Sequence, residues 1–408
     1  MPADDIGKRS IEFHRKNKGK LGVVSKVDCR SREGLSLAYT PGVAAVCKEI
    51  VKNPDSVYEM TCKWNTVAVV SDGTRVLGLG NIGPLAALPV MEGKAVLFKS
   101  YGAIDAFPIC LACKDEDEIV QTVKNISPSF GGINLEDIES PKCFSIEKRL
   151  IEKLDIPVFH DDQHGTAVVA LAGLMNALKF VGKGKDAKIV VSGAGAAGVA
   201  IVKLLHSAGF ANIVVCDSAG ILVDSEKLPP YKREIAKITN KNGKTGALSD
   251  ALEGADVFIG VSAPNIIGAA DVRKMAKKPI VFALSNPVPE ISQKDALAGG
   301  VAVFGTARSD LPNQVNNVLG FPGIFRGALL VKAKRISEGM KLAAANALAG
   351  TISDKELSNE RILPLAFEKG VARKVATAVA LEAQKSGGAR LRMDEKEIAA
   401  ELAKLGID

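Results

Sequence analysis

The sequence predicts an α/β fold containing a Rossmann-like, doubly wound parallel sheet. Three observations carry this. Strand-like apolar runs alternate with helix-like segments through the middle of the chain, and one glycine-rich turn joins a β-branched strand to a helix. The final ninety or so residues read as helix throughout, with no place for strand pairing. At 408 residues the chain can form two or three domains, each with its own core.

The elements follow in order. Thr66–Ser71 and Arg75–Leu79 flank Asp72-Gly73, a hairpin signal. Lys94–Phe98 and Ile156–His160 read as short buried strands, and Thr166 as the N-cap of a helix. From Gln163 the texture becomes regular. The runs 188–191, 212–216, 256–261, 279–284 and 301–304 are strand-like, and helical segments separate most of them. Helical patterns then occupy 327–350 and 364–385. These changes of texture divide the chain into 1–162, 163–316 and 317–408.

The composition is that of an ordinary globular protein. The first twenty residues are dense in charge and hold no apolar signal region. The uncharged stretch Leu311–Phe325 is too short to span a bilayer and contains two prolines. A soluble cytoplasmic protein with no membrane association is expected. The formal charge of +7 is spread along the chain and not clustered with aromatics, which argues against nucleic acid. Seven cysteines show no disulfide-like spacing; Cys110 and Cys113 form a lone CxxC, read as buried thiols in a reducing compartment.

The segment KIVVSGAGAAGVAIVKLLHSAG is the strongest chemical motif. Gly193 permits the tight turn, Gly195 opens the backbone to a pyrophosphate, and Gly198 lets helix and strand pack closely, with Ala196 and Ala197 between them at the helix start. The next strand ends at Asp217, about twenty residues on, where a carboxylate can bond a ribose hydroxyl. This context predicts a dinucleotide, NAD or NADP. No basic residue lies in the run Ser218–Val223, which points to NAD over NADP.

Two acidic clusters lie in apolar or glycine-rich surroundings: Glu136-Asp137 and Asp161-Asp162. The second closes a strand, and the carboxyl ends of strands are where open α/β sheets bind ligands. Carboxylates meeting there suit Mg²⁺ or Mn²⁺; spacing alone is equally consistent with solvated loop acids or helix caps. His160 and His164 read as hydrogen-bonded neighbours, not ligands.

Together these segments resemble the malic enzymes of the short bacterial and archaeal type. The resemblance runs through LAYTPGVA (37–44), SDGTRVLGLGNIG (71–83), EGKAVLFK (92–99), FGGINLEDI (130–138), FHDDQHGTA (159–167), SGAGAAG (192–198), ALSNPVPE (283–290) and PNQVNNVLGFPGIFRGA (312–328), in the family's order. It implies a nucleotide domain inserted in an α/β substrate domain, with the C-terminal helices packing back on the first part. It also implies a homodimer. Many relatives carry a further phosphotransacetylase-like region, and no regulation through one is expected here.

The resemblance assigns roles. Tyr39 matches the family's acid, Lys94 its base, and Asp161 the carboxylate supporting that base. Arg75, Asn286 and Asn317 match substrate-binding residues, Asn286 also lying at the cofactor. Glu136, Asp137 and Asp162 match the metal ligands. The implied reaction is oxidative decarboxylation of L-malate to pyruvate and CO₂, with decarboxylation of oxaloacetate as a partial reaction. A lysine ordinarily titrates near about 10.4, so Lys94 is expected to come down toward neutrality to act as a base. Two rivals remain: an amino-acid or other hydroxy-acid dehydrogenase, which needs no divalent metal, and an inactive nucleotide-binding relative. Intact Tyr39, Lys94 and metal carboxylates argue against the second.

Overall fold

Residues 3–113 and 115–407 are described in a computed structural model. Two sheets form the framework. The first contains β1 (Thr66–Ser71), β2 (Asp105–Cys110), β3 (Gly132–Leu135) and β4 (Val158–His160), all parallel, in the order β2-β1-β3-β4. The second contains β5 (Ile189–Ser192), β6 (Ile213–Asp217), β7 (Gly220–Ile221), β8 (Val257–Gly260), β9 (Ile280–Ala283) and β10 (Val303–Thr306). Its order is β10-β9-β8-β5-β6-β7, parallel except for β7 at the edge. The chain therefore reverses direction across the sheet between β5 and β8, which makes the crevice where doubly wound folds bind nucleotides.

Every strand expected after Gln163 is present, with ends shifted by one or two residues. These strands are fully buried apolar runs covered by helices, which is why they stand out in the sequence. The first part differs in several places, β3 among them, which was not expected as a strand. Residues 75–79 form no strand, and β1 pairs in parallel with β2 and β3 instead of folding into a hairpin. The turn at Asp72-Gly73 leads into a loop and then a helix, Gly83–Gly102, with only one isolated bridge, Val76 to Gly80.

That helix also contains Lys94–Phe98, expected as a strand. Its buried positions Ala87, Met91, Lys94, Ala95, Phe98 and Gly102 recur at helical spacing, which a five-residue window cannot reveal. Conversely, β2 gives no strand signal because Pro108 interrupts it; it is an edge strand, where a missing N–H is tolerated. Cys110 and Cys113 are half-buried and not sealed in the core; only Cys143 and Cys216 are buried, and all seven cysteines are free.

The helix Asp161–Val181 binds the two sheets together. It packs against the helices Ala196–Ser207 and Glu338–Ala349, and its buried residues join one core shared by both sheets. It is long and apolar enough to cross a membrane, but 72% of its apolar window is buried inside the protein, as a core helix would be. It starts at Asp161, five residues before the expected N-cap Thr166, with two acids in its first turn where the helix dipole favours them. The C-terminal helices do return to the first sheet. Phe321 and Phe325 of Phe321–Leu330 set their rings 4.6 Å and 5.2 Å from Phe98. Edge-to-face pairs of this kind add about 0.5–1.5 kcal/mol beyond area burial.

Candidate active site

Three elements deliver the charged groups. The helix Gly83–Gly102 points Lys94 inward, the carboxyl end of β3 carries Glu136 and Asp137, and the end of β4 passes into the helix starting at Asp161. Lys94 Nζ lies 2.5 Å from Asp161 Oδ2, 2.9 Å from Glu136 Oε1 and 4.2 Å from the centre of the Phe321 ring. All three charged residues are buried. Burial alone would lower the Lys94 amine, but Asp161 and Glu136 outweigh it and hold it above its ordinary value. The expected descent toward neutrality is therefore reversed while both counter-charges are free to act on it.

The remaining carboxylates are organised around Asp162. Its Oδ2 accepts the Asp137 backbone N–H at 2.8 Å and lies 3.0 Å from His160 Nε2, without the alignment of a hydrogen bond. Burial would raise Asp162, but His160 more than compensates and holds it below the usual carboxylate range. Asp137 adopts a left-handed φ of 54°, a strained conformation for an acid with a buried side chain. Burial and then the charge of Asp162 push it up to about 7. Glu136 is raised well above its ordinary value by burial, against the pull of Lys94.

Among the described residues, no three His, Cys, Asp or Glu side chains stand together in a metal-holding geometry. Asp162 faces His160 and Asp137 N–H, while Lys94 supplies the positive charge to Glu136 and Asp161. The donor set nevertheless fits a hard cation. Asp137 Oδ2 and Asp161 Oδ1 are buried without a hydrogen-bond partner, and the raised acids show a cluster short of positive charge.

Several other anticipated residues border this cluster. A Cβ on Gly165 would stand 1.8 Å from Asp161 Oδ1 and 3.1 Å from Asn317 Cβ, so Asn317 lies against the buried acid. A Cβ on Gly78 would stand 2.9 Å from the Asn286 carbonyl, so Asn286 adjoins the loop that carries Arg75. Arg75 is exposed, and its guanidinium has no side-chain partner among the described residues. Tyr39 is 66% exposed, and among the described residues no hydrogen bond ties its side chain to the cluster.

The nucleotide turn has the expected form. Gly193 has φ 116°, and a Cβ there would strike the Val261 carbonyl at 2.7 Å. Gly195 faces open space, while a Cβ on Gly198 would meet the Gly193 carbonyl at 1.8 Å. Ala196 and Ala197 begin the helix, half-buried. Asp217 ends β6, where it accepts from Ala219 N–H at 2.8 Å and from Lys232 Nζ at 2.6 Å.

Two residues escaped the sequence reading. Lys232 follows Asp217 by fifteen positions on another helix, Pro230–Ile238, so no local charge pattern reveals the pairing. Glu147, buried on Lys142–Lys153, accepts from His160 N–H at 2.8 Å and Gln163 Nε2 at 3.0 Å, and lies 2.9 Å from His164 Nε2. An acid on the buried face of an amphipathic helix was its only signal.

The chain matches two family descriptions: "Malic enzyme, N-terminal domain" over residues 18–151 and "Malic enzyme, NAD binding domain" over 163–384. It is 55% identical over 405 residues to a bifunctional malic/malolactic enzyme of Bacillus subtilis, covering 98% of this chain and 99% of that one. It is 57% identical to an NAD-dependent malic enzyme of Geobacillus stearothermophilus, covering 91% and 78%. The crystal structure of a malic enzyme from Pyrococcus horikoshii superimposes with a TM-score of 0.94 at 50% identity, covering 98% of this chain and 95% of that one.

Proposed function

This chain belongs to the malic enzyme family, and from that premise we propose how its buried cluster performs the family's reaction. It is an NAD(P)-dependent oxidoreductase that decarboxylates L-malate oxidatively to pyruvate and CO₂, and it decarboxylates oxaloacetate. The observation that carries the assignment of roles is Lys94, held by Asp161 and Glu136 in the interior beside Asp162.

Lys94 accepts the proton of the malate hydroxyl, and Asp161 orients it through the 2.5 Å contact. Glu136, Asp137 and Asp162 hold a divalent cation, Mg²⁺ or Mn²⁺, which when bound polarises the substrate's hydroxyl and carboxylate oxygens. Glu136, once engaged in holding such a cation, would no longer keep Lys94 protonated. Arg75 clasps a substrate carboxylate in a bidentate fork, and Asn317 and Asn286 fix the remaining oxygens, Asn286 also at the nicotinamide side. Tyr39 delivers the proton that completes pyruvate at C3. The turn Gly193–Gly198 receives the pyrophosphate, and Asp217 the adenosine ribose.

The substrate region is residues 1–162, the nucleotide region 163–316, and 317–408 is a helical segment returning to the first. The protein acts in the cytoplasm as a homodimer. The N-terminal arm supports the dimer, since Ile6, Ile11, Phe13, Val23, Val24 and Leu37 all lie exposed along it. Exposed Tyr39 lies on the same arm. Malate-dependent formation of NADH or NADPH, with and without Mn²⁺, tests the proposal. Equal rates in metal-free buffer would refute the metal-assisted mechanism, and an absence of malate-dependent reduction with the metal present would refute the reaction itself.

A further inference from the structure

A second charged depression lies at the opposite end of the nucleotide-binding sheet. Lys188 immediately precedes β5 and Asn212 immediately precedes β6, so both stand at the amino ends of strands whose carboxyl ends carry the glycine turn and Asp217. With the turn at Asn240–Lys244 they enclose a cleft of about 440 Å³. Its charged lining is Lys188, Lys241 and Lys244, joined by the amides of Asn212 and Asn242, and no carboxylate lines it.

The lysines are not neutralised. Lys188 Nζ donates to the Glu253 carbonyl and Lys244 Nζ to the Asp250 carbonyl, so both ammonium groups rest on backbone oxygens. Among the described residues, none of the three lysines lies within ion-pair distance of an acid. Half-buried Asp256 is engaged by Lys183 at 2.7 Å and by Lys188 N–H at 2.8 Å. Burial and the like charge of Lys244 push Lys188 below its ordinary value, against the weaker pull of Glu253 and Asp256. Three lysines lining one cleft, with no carboxylate in its walls, favour an anion there.

The turn behind them is rigid. Asn240 takes a left-handed φ of 46° and its side chain is committed to the turn, donating to the carbonyls of Leu222 and Lys244 and accepting from Lys244 N–H. The lysines therefore project from a fixed base.

We propose that this cleft is a second anion-binding site, taking the phosphate group of a small molecule at the end of the sheet remote from the cofactor. A phosphate carries close to two negative charges at neutral pH and several acceptor oxygens, which suits converging ammonium and amide donors. The volume accommodates a phosphate ester as well as the free ion.

Isothermal titration calorimetry on the full-length protein tests this. Saturating NADH first occupies the cofactor's own pyrophosphate site, and chloride holds ionic strength constant. Inorganic phosphate, pyrophosphate and glycerol 3-phosphate are then titrated separately. The site predicts saturable binding of at least one of them at one equivalent per chain. Tighter binding of glycerol 3-phosphate than of inorganic phosphate assigns the site to phosphate esters; the reverse order assigns it to the free ion. Lys188→Gln combined with Lys244→Gln weakens binding at least about tenfold, as losing two charge-assisted contacts requires. Lys241→Glu, at an exposed position that leaves folding unaffected, weakens it too and decides the matter if the double variant fails to fold. NADH affinity and basal turnover stay unchanged. Absence of saturable binding with all three probes, or equal affinity in every variant, overturns the proposal.

Discussion

Lys232 places its ammonium 2.6 Å from Oδ2 of Asp217, so the carboxylate at the end of β6 carries its own counter-charge. In sequence the stretch after Asp217 is uncharged, but in space a lysine supplies what that stretch lacks. Unpaired, Asp217 would repel a 2′-phosphate; paired, it repels far less. The protein is expected to prefer NAD and to accept NADP as a second cofactor. Lys232→Gln should lower the ratio of kcat/KM for NADP over NAD by about tenfold, the worth of one charge-assisted contact. Ala219→Lys should raise it. An unchanged ratio in Lys232→Gln would show that this lysine does not face the extra phosphate.

The proposed metal site depends on Asp162. Asp162→Ala should cut malate turnover by more than about a hundredfold, beyond the typical cost of losing a group behind the ligands. NADH binding, followed by fluorescence, should persist because the glycine turn is untouched. Mn²⁺ binding measured by electron paramagnetic resonance should be lost, and wild-type turnover of this variant without metal would rule out the assigned ligand.

Acid and base should separate by partial reaction. Lys94→Ala leaves the hydroxyl proton without an acceptor and should abolish malate-dependent hydride transfer. Tyr39→Phe should slow protonation at C3 while some decarboxylation of added oxaloacetate survives. Parallel loss of every partial reaction in both variants would contradict the division of labour.

Glu147 gives a prediction about stability and pH. Burial would raise this carboxyl, but His164, with Lys341 and His160, outweighs burial and holds it at about 2. His164 is itself lowered by burial, against the pull of Glu147. A folded value below the ordinary 4.5 means the stabilisation is complete above that pH and is lost as pH falls from there toward 2. The displacement corresponds to roughly 3 kcal/mol. Urea unfolding of wild type and Glu147→Gln between pH 7 and 3 should show a steeper decline for wild type. Parallel curves would remove Glu147 as the source.

How far the sequence alone led depended on which distances the chain spans. The five parallel strands from Ile189 to Thr306 were legible because each is a short apolar run set among helices, whereas the two-residue edge strand Gly220–Ile221 was not. Lys94–Phe98 was not, since its inward face becomes periodic only across the whole helix Gly83–Gly102. Glycine chemistry at 193, 195 and 198 was readable in full, because one turn demands all three. The acids were visible as neighbours in the chain, but the ties from Lys94 to Asp161 and from Glu147 to His160 join separate elements and exist only after folding.

At Gly165 local helix propensity yields to the space a buried acid needs. Within the helix Asp161–Val181, alanine at this position would be favoured by up to about 1 kcal/mol on helix propensity. Its methyl group would occupy the space of Asp161 Oδ1, 1.8 Å away, and push the acid off Lys94. The clash and the disturbed buried ion pair together cost more than the gain in helix propensity, so glycine is kept here by the packing of the acid. Gly165→Ala should lower the melting temperature and malate oxidation together while nucleotide binding persists, and a melting temperature above that of wild type would contradict this reading.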